Sequence, residues 1–179
     1  MALQRMKIDG YGQLELNLVS FRRTGAIEAQ CALDDTDFAD VPAENGMLLA
    51  VDNVERKIKF AKDAALPIAL NYSTEHMYDE RHNALKDFCL KRGEFYPRLG
   101  YVQTGDKFTT NTISYDTDEF TAESNLVEAL KALKTTRLYG KACANGGIQI
   151  TKTADGAPLA VIAYITMPDG QPGVKFQGR

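Results

Sequence analysis

Residues 46–60 read GMLLAVDNVERKIKF, and this stretch decides the fold. Two short apolar-rich segments, GMLLAVD and KIKF, flank the polar connector NVER. Neither segment is long enough for a stable helix, and the spacing is that of strand, turn, strand. The rhythm continues outward. IALNY follows Pro67, then FCLKRGEF (88–95), then LGYVQTGDKFTTNTISY (99–115), with glycine or charged residues at each break. From Glu44 to Asp116 the chain therefore reads as a β-rich domain, and no acid, base, nucleophile or metal cluster in it points to chemistry.

Upstream, QLELNLVSF (13–21) alternates with a period of two. Leu14, Leu16 and Leu18 fall on one face, and Gln13, Glu15 and Asn17 on the other, the pattern of a strand with one wet side. AIEAQCAL repeats it more weakly, and RRTG between the two reads as a hairpin turn. Residues 1–33 are thus expected to form an N-terminal hairpin or arm, with 34–116 as the β-rich core. DDTDFADVPAENG (34–46) reads as a solvated acidic connector. Asp34, Asp35, Asp37 and Asp40 lack the glycine at six and the glutamate at twelve that a calcium loop needs.

The pattern changes at Thr121. TAESNLVEALKALKT has a capping hydroxyl, Glu123 in the first turn and lysines near the end, with Leu126, Leu130 and Leu133 at i, i+4 and i+7. This predicts one amphipathic helix near 122–134, its leucine stripe laid on a sheet. RLYGKACA, GGIQITKT, PLAVIAYIT and GVKFQ then return to β, so 117–179 is expected to pack on the same core. Leu159–Thr166 is apolar on both faces and reads as a central, fully covered strand. The fold class is mainly β, a barrel, sandwich or tulip-like arrangement, with that single helix.

Chemistry is hard to find. His76 and His82 in STEHMYDERHN stand six apart, out of phase on a helix. His76 with Asp79 or Glu80 is in phase, so a small metal-binding or enzymatic module on His76, Asp79 and His82 is one alternative. A polar loop between strands explains the same residues. Gly10 and Gly12 lack the third glycine and the following helix of a nucleotide fingerprint. Cys31, Cys89 and Cys143 form no CxxC pair and read as buried structural thiols. The net charge of −3, with basic residues scattered, argues against a nucleic-acid partner. No apolar run reaches the ~20 residues of a membrane span. MALQRMKIDGYG lacks the apolar core of a signal peptide, so folding in a cytosol is expected. The expectation is a non-enzyme without cofactor or metal.

GMLLAVDNVERKIKFAKDAALPIALNYS, KDFCLKRGEFYPRLGYVQTGDKFTTNTISYD and ITKTADGAPLAVIAYITMPDGQPGVKFQ together resemble the capsid decoration, or cement, proteins and auxiliary head proteins of tailed bacteriophages. The best pieces are Gly105–Thr112 and Asp169–Phe176. That resemblance implies a barrel-like or tulip-like β-domain on the outside of a capsid, assembled in the bacterial host cytoplasm and stabilising the head. It also implies the major capsid protein as partner and self-association, as a homotrimer or another oligomer. The segment carrying Leu14, Leu16, Leu18 and Phe21 would then be the capsid contact, as an augmenting strand. A tail-tube, neck or head-fibre protein is the neighbouring alternative.

Overall fold

A run of ten residues, Lys107 to Asp116, organises the tertiary structure. The computed structural model describes residues 2–62, 65–73 and 84–179. The larger sheet has eight strands in the order β1 (Leu3–Arg5), β12 (Ile113–Asp116), β14 (Ile148–Thr151), β13 (Tyr139–Ala142), β15 (Leu159–Thr166), β16 (Pro172–Gly178), β11 (Lys107–Thr110) and β2 (Leu14–Leu18). Only Asn111 and Thr112 separate β11 from β12, yet these strands stand seventh and second in the row. Five strand spacings in a flat sheet would put them ~24 Å apart. The link from Thr110 to Ile113 reaches only ~10 Å. The sheet therefore curls back on itself, barrel-fashion, and the bent 107–116 segment serves both ends of the curl. β12 and β14 pair in parallel; the other neighbours in this sheet are antiparallel.

Side chains inside the curl form one core. Phe108, Ile113, Ile148, Ile150, Leu159, Val161, Val174 and Phe176 all belong to it. α2 (Glu123–Lys131) adds Leu126 and Leu130, both buried, while Leu133 packs partly just beyond the helix end. The helix lies where its leucine spacing places it, but starts from Ala122 with no side-chain cap rather than from Thr121.

A second sheet runs β3 (Ile27–Glu28), β10 (Leu99–Gly100), β8 (Ile68–Asn71), β6 (Leu48–Asp52), β7 (Lys57–Phe60) and β4 (Ala32–Leu33). The GMLLAVD and KIKF segments are its β6–β7 pair. Leu48 and Leu70 point into the first core, whereas Leu49, Val51 and Ala69 point into a second core with Phe38, Ile58 and Phe60. Both faces of this sheet are thus covered, which is why LLAVD is a continuous apolar run rather than an alternating one. β5 (Ala43–Glu44) and β9 (Cys89–Leu90) form a separate pair.

Three sequence expectations need correction. β2 and β3 are not a hairpin: β2 joins the larger sheet beside β11 and β3 joins the smaller beside β10. RRTG belongs to α1 (Phe21–Thr24), a single helical turn closed by Gly25 in the left-handed region. Strands from residues 1–33 therefore complete both sheets. The acidic connector is not a solvated linker. Phe38 is buried with its ring 4.7 Å from that of Phe60, so the segment covers the second core. Its aspartates tie it down: Asp37 accepts the Phe60 N–H at 2.7 Å and the Lys62 Nζ at 2.5 Å. Finally, β15 is covered only at its start. β13 pairs with it at Tyr139 and Gly140 alone, and Ile162 and Ile165 are exposed.

Candidate interaction surface

β2 is the outer strand of the curled sheet, with β11 on one side and no strand on the other among the described residues. Its register with β11 contains a bulge. Leu14 faces Thr110, Glu15 faces Thr109 and Leu16 faces Phe108, but the next pair is Leu18 with Lys107, so Asn17 is the extra residue. One added residue reverses the alternation. Leu14 and Leu16 pack on the core, while Leu18 turns to the outer face and is 54% exposed. Thr109 Oγ1 donates to Asn17 Oδ1 at 2.8 Å and holds the bulge.

The four expected contact residues therefore part company. Leu14 is buried at 7% exposure and Phe21 at 0%, the latter with its ring 5.2 Å from that of Tyr72. Both belong to the core. Only Leu18, with the open backbone edge of β2, is presented outward. Among the other exposed apolar side chains, periodicity did not single out Phe95 and Tyr96 in the loop after β9 or Ile162 and Ile165 on β15. Their sequence signal was the aromatic pair beside Pro97, between charged residues, and the unusual length of the PLAVIAYIT run.

Several buried polar groups are engaged within the fold. At the elbow of the bent strand, Thr110 Oγ1 donates to the Gln13 carbonyl and Thr112 Oγ1 to the Asn45 carbonyl, both at 2.6 Å. The Gln13 N–H donates to Asn111 Oδ1 at 2.7 Å. Beside it, the Glu44 carboxylate takes both arms of the Arg5 guanidinium, at 2.6 and 2.9 Å, and the Gly12 N–H at 2.6 Å. Gly12 is there for closeness, since a Cβ would lie 2.0 Å from Thr112 Oγ1. Gly12 of DGYGQ thus serves close packing against Thr112 and the Asn45 carbonyl. Burial pushes all three thiols up, that of Cys31 to about 11, so none is a ready nucleophile at neutral pH. Among the described residues no three His, Cys, Asp or Glu side chains are grouped as metal ligands. His76, Asp79 and His82 lie outside the described residues. No helix among the described residues is long and apolar enough to cross a membrane.

Between the two sheets lies an open cleft of about 830 Å³. Leu48 and Ile68 of the smaller sheet form one wall, with Ala142, Ala157, Pro158 and Leu159 opposite. Lys62, Lys141 and Arg179 stand round it.

No family model, no curated protein and no solved structure matches this chain. Function is therefore argued from surfaces. Two stand out: the β2 edge with Leu18, and the cationic cleft.

Proposed function

We propose that this chain is a virion structural protein, a capsid decoration protein that binds the outside of the major capsid protein lattice of a tailed bacteriophage and stabilises the head. The carrying observation is the edge of β2, open among the described residues, where a bulge turns Leu18 outward. An extended segment of a shell protein can add there by main-chain hydrogen bonds, with Leu18 as a side-chain anchor. The resemblance of the 46–73, 86–116 and 150–177 segments to phage head proteins supports the same reading. No chemistry is needed for such a role: a ligand that recognises only the assembled lattice stabilises it by mass action. Self-association, as a trimer, would add several weak contacts through effective concentration. A tail-tube role loses its best sequence support, since 13–33 is not the long hairpin that would build a ring.

The test uses capsid shells produced from the neighbouring head genes without this chain. Purified protein is added and the particles are imaged by electron cryomicroscopy. The expected result is density on the shell exterior with β2 at the contact. Leu18→Lys should weaken binding about tenfold, about 1.4 kcal/mol, while leaving stability within about 0.5 kcal/mol. Bare shells at saturating protein, or rings and tubes formed by the protein alone, would refute the assignment.

A further inference from the structure

The cleft between the sheets has a local cause. β13 pairs with β14 along Tyr139–Ala142 but with β15 only at Tyr139 and Gly140. Continuing that register would set Lys141 opposite Pro158, which has no N–H to give a ladder. The two strands separate there, and the 154–158 loop swings away to leave the opening. Its walls are aliphatic: Leu48, Ile68, Val102 and Leu159 line it with alanines and Pro158, and no aromatic ring lines it among the described residues.

Among the described residues, the charges lining it are all of one sign: Lys62, Lys141 and Arg179 line the cleft and no carboxylate does, although the chain as a whole carries a net charge of −3. Two of these cations are held in place. Lys62 is paired with Asp37 at 2.5 Å. Arg179 stacks on Tyr139, 4.7 Å from the ring centroid, and donates from Nη1 to the carbonyls of Ala154 and Ala157, each at 2.9 Å. Lys141 has no ion-pair partner among the described residues. An uncompensated ammonium on the wall of an aliphatic cleft is an anchor for an anion whose body is apolar.

We infer that this cleft is a binding site for a small organic anion with an aliphatic body, its head group on Lys141 with Arg179 nearby and its chain between Leu48, Ile68 and Leu159. The volume is within the usual range of ligand pockets. The site shares no residue with β2, so it can be filled or empty without touching the proposed shell contact.

Decanoate, kept below its micellar concentration, is the probe, followed by isothermal titration on the full chain. Saturable binding of one decanoate per chain is expected. Lys141→Glu should weaken it at least tenfold, while leaving binding of neutral 1-octanol unchanged. Ala154→Phe, which places a ring in the mouth of the cleft, should weaken both ligands. Circular dichroism of each variant checks that it is folded, and a perturbed variant is replaced by Lys141→Gln, expected to weaken decanoate at least threefold. Absence of saturable binding, equal affinity for decanoate and octanol, or binding that survives both substitutions at Lys141 would overturn the inference.

Discussion

Gly140 carries no side chain because two others occupy its space. A Cβ there would lie 2.8 Å from the Phe176 ring and 2.9 Å from Ile148 Cγ2. Ile148 sits on β14, which pairs with β13 directly, and Phe176 on β16, one strand beyond β15, so Gly140 lies between side chains from both sides of β13. Overpacking of a closed core costs about 1–3 kcal/mol. Gly140→Ala should lower stability by that amount in urea denaturation; an unchanged midpoint would mean the curl is looser than described. Electrostatics at single residues gives a second expectation. The Asp52 carboxyl is held below the usual range by the Glu55 N–H, and further by Lys59, whose Nζ lies 2.9 Å away. A depressed acid stabilises the fold above its unfolded value of about 3.9 and loses that contribution as pH falls through the folded value. The native chain should therefore lose more stability between pH 5 and pH 3 than Asp52→Asn does, as read from the two urea midpoints. Equal losses would remove Asp52 from the acid response.

At the scale of elements, α2 shows how far pattern carries. Its leucine spacing named the buried face in advance, because a helix on a sheet must bury one stripe. Leu126→Ala should cost about 2–5 kcal/mol, the range for a fully buried leucine, and Leu130→Ala a comparable amount. A loss below 1 kcal/mol in thermal or urea unfolding would mean the helix is dispensable to the core. β2 shows where pattern stops. Its alternation was legible, but the bulge at Asn17 was not, since an added residue depends on the partner strand and on the Thr109 hydroxyl that holds it. As a result Leu14, Leu16 and Leu18 do not share a face. The β15 run misled in another way: being apolar on both faces has a sequence signature, while the neighbour that would cover the second half does not. The acidic connector was misread because four aspartates suggest solvent, whereas Asp37 and Phe38 use the Phe60 neighbourhood as a dock.

For the whole molecule, β6 is the coupling element. Leu48 looks into the core of the curled sheet and Leu49 into the core under the connector, so one strand serves both clusters. Unfolding either cluster exposes a face of the other, which predicts a single cooperative transition. Phe38→Ala, lying wholly in the second cluster, should cost about 3–5 kcal/mol and shift far-ultraviolet dichroism and tyrosine fluorescence together. Separate transitions for the two probes would show that the sheets unfold independently. From residues alone came the strand-rich class, the place of the helix and the apolar weight of β6, because hydrophobic period is a local quantity fixed by backbone geometry. Tertiary structure alone decided that 107–116 bends to serve both ends of one sheet, that Phe21 and Leu14 lie inside while Leu18 lies outside, and that three cations surround an aliphatic cleft. Each of these depends on which distant strand lies alongside, and strand pairing is set by packing between segments far apart in the chain, which the period of any one segment does not encode.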